Sequence, residues 1–200
     1  MTSLLVNHIL QTEKWTSPEL FETKNRIYTF LNPVSYLIAL ENKSLFEQFD
    51  GIFADGSLLV SAIRLVYGKR VTRRSFDMTS LAPELLNYLM ESRKTLYIVA
   101  SGQEQVECSV RIFQEQYPEL RIAGFRNGYF SSDAEMNKEA SHIVELNPDF
   151  LIVGMGALMQ EKFLLKVKKM GYQGIGFTCG GFVHQTAMNR MHYYPNWLIR

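Results

Sequence analysis

The chain has 200 residues, 46% of them hydrophobic and 20% charged, with a formal net charge of +1. That length suits one domain with a full core that needs no staples. The near-neutral balance gives no electrostatic ground for nucleic acid as a partner.

Cys108 and Cys179 have neither metal-ligand spacing nor the pattern of a disulfide framework, and read as reduced thiols of a cytosolic protein. The opening MTSLLVNHILQTEKW lacks a basic leader, a long apolar centre and a small-residue cleavage site, so no signal peptide is expected. No apolar run approaches the roughly 20 residues that span a bilayer. Contact with a membrane surface stays open.

In chain order, RIYTFL (26–31) reads as a strand and residues 33–46 as a helix. A short buried strand is expected at 51–54. A helix at 57–67 places Leu58, Leu59, Ala62, Ile63 and Val66 on one face, with Gly68 as its C-cap. After the basic run KRVTRR (69–74), a helix at 79–92 carries the stripe Leu81, Leu85, Leu86, Leu89. TLYIVA (95–100) is a strand, followed by a helix at 103–116 that Pro118 closes. A strand at 121–125, a turn at Asn127-Gly128 and a helix at 133–146 capped by Ser132 or Asp133 come next. A strand at 149–153, a helix at 159–170 and a strand at 174–178 complete the pattern. This alternation predicts an α/β fold: a Rossmann-like, mostly parallel sheet flanked by helices. Such sheets bind ligands outside the carboxyl ends of their strands. Asp55, Gly102, Gly154 and Gly180 all fall at expected strand ends, so one rim could gather them.

Asp55-Gly56 interrupts an apolar run. It reads either as a plain turn or as a strand delivering a carboxylate to a site. Gly154 and Gly156 would let a backbone approach a ligand at the start of a helix. The dinucleotide fingerprint wants a third glycine, and Met159 stands there. Gln160 lies in the first turn, as a solvated residue or as an amide reaching a sugar or diphosphate. Gly180-Gly181 reads as a tight turn or a close approach to a nucleotide. KRVTRR reads as a solvated face or as an attractor for a diphosphate or an anionic lipid headgroup. Asp77 reads as a cap of the next helix in preference to a partner of Arg73 or Arg74. His8, His142, His184 and His192 are scattered without metal spacing, so no metal site and no cofactor are expected. No GxSxG, Walker A or HExxH motif supports a hydrolase, an ATPase or a zinc protease.

Taken together, several blocks resemble the WecB/TagA/CpsF family of bacterial glycosyltransferases. They are Ala54-Asp55-Gly56, then Asp77 with Leu81, then the run from Ser101 to Phe130 with its Tyr-Pro-x-Leu and Gly-Tyr-Phe elements. Gly154-Met155-Gly156 with Gln160-Glu161 follows, and then Gly180-Gly181-Phe182. The order and spacing carry the likeness, from about Arg26 onward.

The resemblance implies a single glycosyltransferase domain with a small N-terminal subdomain segment in residues 1–25 and a core in 26–200. It implies metal-independent, inverting transfer of an N-acetylmannosamine-type or related hexose from a UDP-sugar. The implied acceptor is a polyprenyl-diphosphate-linked sugar at the inner face of the cytoplasmic membrane. The protein would then be a peripheral cytoplasmic enzyme and a possible homo-oligomer, with residues 57–67 as one place for a subunit contact. Carried over, Asp55 matches the general base, Gln160 a substrate-holding glutamine and Asn32 the asparagine of an early Thr-x-Asn-Pro block. Gly102, Gly154, Gly156, Gly180, Gly181 and one of Arg73 or Arg74 would bind substrate.

The sequence departs from the family pattern at Phe30 (for threonine), Leu158 (for proline) and Thr72 (for an arginine before Asp77). Thr29 adjoins Phe30 but would face the other side of a strand. The chain stops at Arg200, where relatives continue into a basic membrane-docking appendage. A non-catalytic nucleotide-sugar-binding or scaffold subunit is the alternative reading, and an NAD-dependent oxidoreductase the third.

Overall fold

The structure, a computed structural model, describes residues 4–189. The expectations for the C-terminal stretch 194–200 lie outside the described residues. The elements are α1 (Leu4–Thr12), α2 (Ser17–Glu22), β1 (Arg26–Leu31), α3 (Pro33–Glu41), α4 (Lys43–Phe46), β2 (Gly51–Ala54), α5 (Ser57–Tyr67) and α6 (Leu81–Glu91). They continue with β3 (Thr95–Ala100), α7 (Gln103–Gln116), β4 (Arg121–Arg126), α8 (Asp133–Leu146), β5 (Phe150–Gly154), α9 (Met159–Lys169), β6 (Ile175–Thr178) and α10 (Phe182–Asn189).

The six strands form one sheet in the order β2-β1-β6-β5-β3-β4, and every pairing is parallel. A parallel sheet must be covered on both faces, and this one is. Along β3 and β5 successive side chains alternate between two cores: Leu96, Ile98, Phe150 and Ile152 enter one, Tyr97, Val99, Leu151 and Val153 the other. The first core takes α2, α6, α7 and α10 through Leu20, Leu81, Val106 and Phe182. The second takes α1, α3, α4, α5, α8 and α9 through Leu5, Ala39, Phe46, Leu59, Met136 and Phe163. Phe150 and Phe177 stack with ring centroids 6.5 Å apart in the first core, and both are almost fully buried. Each such side chain contributes about 1.5–3 kcal/mol through burial alone.

The N-terminal helices bury into these same cores. Leu5, Val6 and Ile9 of α1 lie beneath the sheet, and α1 packs along the edge strand β2. The Ile52 amide donates to Thr12 Oγ1 (3.0 Å), so a group on that strand that would face solvent is satisfied.

Some expected boundaries move. The expected helix at 33–46 is two helices, because Asn42 leaves helical geometry (φ −121°, ψ 36°) and its side chain donates to Ile38 O (2.9 Å). The expected start at Thr79 moves to Leu81. Asp77 does not cap α6; Ser80 holds the N-cap position, and Asp77 is taken up by Arg73, Ser75 and Thr79. On α5 only Leu59 and Ile63 of the expected apolar face are buried, while Leu58 and Val66 are each 69% exposed.

Candidate active site

All six strands end at the same rim, and the segments that follow them line one cleft of about 1290 Å³. Asn32 follows β1, Asp55 and Gly56 follow β2, and Ser101-Gly102 follow β3. Gly128 to Phe130 follow β4, Gly154 to Gly156 follow β5, and Cys179 to Gly181 follow β6. This is the place where open parallel sheets accept ligands. The volume exceeds the usual range for one small ligand.

Two glycine corners meet at the centre. A Cβ on Gly154 would stand 2.6 Å from Gly180 O and 2.8 Å from Cys179 Sγ. Gly154 is therefore required by the close approach of the β5 and β6 ends, whatever the cleft binds. Gly156 (φ +82°) and Gly180 (φ +51°) lie in the left-handed region that suits glycine, with open space where a side chain would project. Hydrogen bonds knit the strand ends together: Cys179 N donates to Val153 O (2.8 Å) between β6 and β5, Ser101 N donates to Gly154 O (3.1 Å), and Gly128 N donates to Ser101 O (2.8 Å).

The helix starts at the rim fall into two groups. Asn32 Oδ1 caps α3 by accepting from Val34 N and Ser35 N, and its Nδ2 makes no hydrogen bond among the described residues. The Glu161 carboxylate accepts from Leu158 N (2.7 Å) at the start of α9, which uses an amide that a phosphate would otherwise find there. By contrast α5 and α7 begin at Gly56 and Gly102 with no side-chain cap. Both glycines line the cleft, so first-turn amides without a side-chain partner open toward it.

Asp55 stands on the cleft wall, half-buried, with its amide donating to Leu31 O (2.8 Å). The Arg74 amide donates to Ala54 O (2.9 Å), which lays residues 71–77 alongside it. Burial raises the Asp55 carboxyl above the ordinary carboxylate range, and the negative charge of Asp77 adds to this. Arg73 and Ser75 pull the other way. Asp77 itself accepts from Arg73 Nη2 (2.8 Å), Ser75 Oγ (2.9 Å), Thr79 N (2.8 Å) and Thr79 Oγ1 (2.6 Å).

The two candidate arginines separate cleanly. Arg73 lines the cleft, ion-paired with Asp77. Arg74 is turned away: Nη1 donates to Trp15 O (2.8 Å), Nη2 to Ser17 Oγ (3.0 Å), and its guanidinium lies over the Phe53 ring at 5.3 Å. Arg74 is thus not part of the cleft lining, and its Nη1 and Nη2 are engaged with the α1–α2 connection, so Arg73 is the arginine placed to meet a ligand there.

Gln160 lines the cleft but is only 5% exposed. Its amide is held at both ends: Nε2 donates to Glu161 Oε1 (2.9 Å), and Oε1 accepts from Gly180 N (3.2 Å). Glu161 is fully buried and also accepts from Thr29 Oγ1 (2.8 Å), which in turn accepts from Thr178 Oγ1 (2.9 Å). Burial raises the Glu161 carboxyl, against the pull of the hydrogen bonds it accepts. Thr29 does face away from Phe30: Phe30 lines the cleft, while Thr29 ties β1 to α9 and β6.

Sequence reasoning did not single out Gln105, Tyr129, Phe130, His184 or Gln185, which also line the cleft. Tyr129 and Phe130 belonged to the quoted Gly-Tyr-Phe block, which was the available signal. His184 and Gln185 lie on α10, a helix that was not expected. Among the described residues no three His, Cys, Asp or Glu side chains converge so as to hold a metal ion.

A fully covered parallel sheet with a cleft at its carboxyl rim places the protein among the open α/β folds that accept ligands beyond their strand ends. The glycosyl transferase WecG/TagA/CpsF family matches residues 9–200, and the chain belongs to this family of glycosyltransferases. Among its relatives is a UDP-Gal:alpha-D-GlcNAc-diphosphoundecaprenol beta-1,4-galactosyltransferase of Shigella boydii. The two are 31% identical over 195 residues, which cover 98% of this chain and 77% of the relative. An N-acetylglucosaminyldiphosphoundecaprenol N-acetyl-beta-D-mannosaminyltransferase of Bacillus subtilis is 24% identical over 178 residues, covering 87% and 67%. No described helix is long and apolar enough to cross a membrane.

Proposed function

We propose that the protein transfers a hexose from a UDP-sugar, with inversion and without a metal, to a GlcNAc-diphosphate-polyprenol acceptor in surface polysaccharide synthesis. Residues 4–189 act as one domain in this reading. The observation that carries it is the Asp55 carboxyl, half-buried on the wall of the same cleft as the glycine corners. The two relatives above differ in the sugar they move but share the GlcNAc-diphosphoundecaprenol acceptor in their names. The acceptor class follows what the two names share, and the donor is a UDP-hexose of either the galactose or the N-acetylmannosamine type.

In this mechanism Asp55 removes the proton of the acceptor hydroxyl as that oxygen attacks the anomeric carbon. Its raised pKa suits the task, because a base gains proton affinity as its pKa approaches the working pH. The bond from the anomeric carbon to the diphosphate oxygen breaks on the opposite face, and the electron pair leaves with UDP. The developing charge is met by the open amides of the helix starts at Gly56 and Gly102 and by Arg73, while Gly180-Gly181 let the backbone come close to the diphosphate. Arg73 is held in place by Asp77, so its guanidinium is aimed before substrate arrives. Gln160 shapes the floor beneath the sugar, and Asn32 Nδ2 offers a donor at the β1 side.

The test is a screen of UDP-sugars with the purified protein and a short-chain GlcNAc-diphosphate-polyprenol, with EDTA present and absent. Transfer that EDTA leaves unchanged, with an inverted anomeric centre by NMR, supports the proposal. Binding of UDP-sugar without transfer would favour the scaffold reading, and a retained anomeric configuration would remove Asp55 from its role.

A further inference from the structure

Helix α5 is apolar almost all round, yet it lies on the surface. Leu59 and Ile63 enter the core. Leu58, Leu65 and Val66 face outward, 69%, 88% and 69% exposed, with Ala62 exposed between them. Positions 58, 62, 65 and 66 follow the i, i+4, i+7, i+8 spacing of one continuous helical face. Arg64 is the single charged residue of the helix. At the cleft end of α3, Val34 and Leu37 are 68% and 63% exposed. Their neighbours Asn32 and Ser35 line the cleft, as do Gly56 and Ser57 at the start of α5. The apolar surface therefore begins at the cleft mouth and runs along α5 away from it. Exposed apolar surface of this extent marks an interaction site.

The charges beside it choose the partner. From Gly56 to Phe76 there is no Asp or Glu. Arg73 and Arg74 in this stretch are engaged, as described. Arg64, Lys69 and Arg70 are exposed and have no ion pair among the described residues. A two-fold dimer would set this face against itself and bring Arg64, Lys69 and Arg70 toward their own copies, and the Glu13 carboxylate that meets this stretch is already taken by Thr72 N and Thr72 Oγ1. Anionic lipid headgroups supply the missing negative charge, and the boundary beneath them accepts apolar side chains.

We propose that the outer face of α5, with Lys69 and Arg70, docks on an anionic bilayer surface and sets the cleft mouth against it. The proposal rests on the reading above in one respect: a lipid-linked acceptor gives the docking its purpose. Leu58, Leu65 and Val66 enter the headgroup boundary, and Arg64, Lys69 and Arg70 engage phosphates. The diphosphate of the acceptor, carried at the same depth as those phosphates, then lies at the mouth of the cleft whose inner helix starts meet the donor.

The test uses the full chain and vesicle sedimentation, a readout independent of activity. Vesicles of equal parts phosphatidylcholine and phosphatidylglycerol are compared with phosphatidylcholine alone. Binding is expected only to the anionic vesicles. Lys69→Gln with Arg70→Gln should weaken it by about 30-fold, from about fivefold per cation. Leu65→Ser with Val66→Ser should weaken it roughly tenfold through lost insertion of apolar carbons. Both double variants should keep the parent's thermal melt and its transfer to a soluble short-chain acceptor. Variants that bind vesicles like the parent, or a parent that binds neither vesicle, would overturn the proposal. So would sedimentation equilibrium showing a parent oligomer that the Leu65 and Val66 changes dissociate, since that outcome assigns the face to a second copy. If the parent binds anionic vesicles and the variants do not, yet no UDP-sugar supports transfer, the docking stands and the proposed reaction fails.

Discussion

Replacing Glu161 by alanine tests whether the cleft floor is built on a buried carboxylate. Glu161 is fully buried and accepts from Thr29 Oγ1, Leu158 N and Gln160 Nε2. The alanine variant strands three donors, at about 1–3 kcal/mol for each one left without a partner. Two effects reduce the total. Water entering from the cleft can reach the Leu158 amide, and losing the carboxylate relieves the desolvation that raises its pKa. The expected net loss is about 3 kcal/mol, the low end of the three-donor sum. In a chain of this size that lowers the melting temperature by about 6–12 °C. Urea unfolding measures the free energy, and the midpoint should fall with an unchanged slope. Glu161→Gln keeps the volume but presents an N–H₂ group where donors already point, so it should lose about 1–3 kcal/mol by leaving one of them unpaired. In both variants Gln160 loses an anchor, and KM for the donor should rise more than kcat falls. An alanine variant within about 0.5 kcal/mol of the parent, the range of ordinary surface changes, would refute the network as a support of the fold.

The pH dependence follows from the two raised carboxyls. Asp55 and Glu161 hold their protons more tightly folded than unfolded. Their stabilising contribution is complete below the ordinary carboxylate pKa and is lost as pH rises through the folded values, so stability should decline across that window. Glu161→Gln should flatten the decline, as seen in melts taken at stepped pH. Because transfer needs Asp55 ionised, the acid limb of kcat/KM should lie above the ordinary carboxylate range; a limb at or below it would contradict the burial argument. Arg73→Ala should raise KM for UDP-sugar by about tenfold or more, the loss of one charge-assisted contact. Arg74→Ala should leave KM unchanged and lower stability by about 1–2 kcal/mol through its bonds to Trp15 O and Ser17 Oγ; equal kinetic effects from the two would refute their separation. Gly154→Ala should destabilise by about 1–3 kcal/mol, the usual cost of overpacking, because its Cβ meets Gly180 O at 2.6 Å.

The parallel sheet was legible because each strand is a short apolar run bounded by a turn or a helix start. β1, β2 and β3 begin and end at the expected residues. Asn42 broke the expected helix at 33–46 because its side chain competes for a backbone carbonyl of the preceding turn, a local choice that apolar spacing does not register. Helix α5 was expected with one apolar face, and spacing alone does not say which of its residues the sheet covers: Leu59 and Ile63 are buried, while Leu58 and Val66 are exposed. At the cleft, the rim positions of Asp55, Gly102, Gly154 and Gly180 followed from strand ends alone. The choice between Arg73 and Arg74 did not, since it depends on Trp15 and Ser17, more than fifty positions away in sequence. Nor was the anchoring of Gln160 legible. It runs through Glu161 to Thr29, 132 positions away, and the bond exists only once β1 lies beside β6 and under α9.

The central claim is that one half-buried carboxylate does the base chemistry. Its most direct test is Asp55→Asn, assayed for transfer to the short-chain acceptor alongside circular dichroism, a thermal melt and UDP titration calorimetry. The variant should fold, bind UDP with at least the parent's affinity, and lose at least about 100-fold in kcat, the lower bound for removing a positioned base. A folded variant that turns over at the parent's rate would show that Asp55 is not the base.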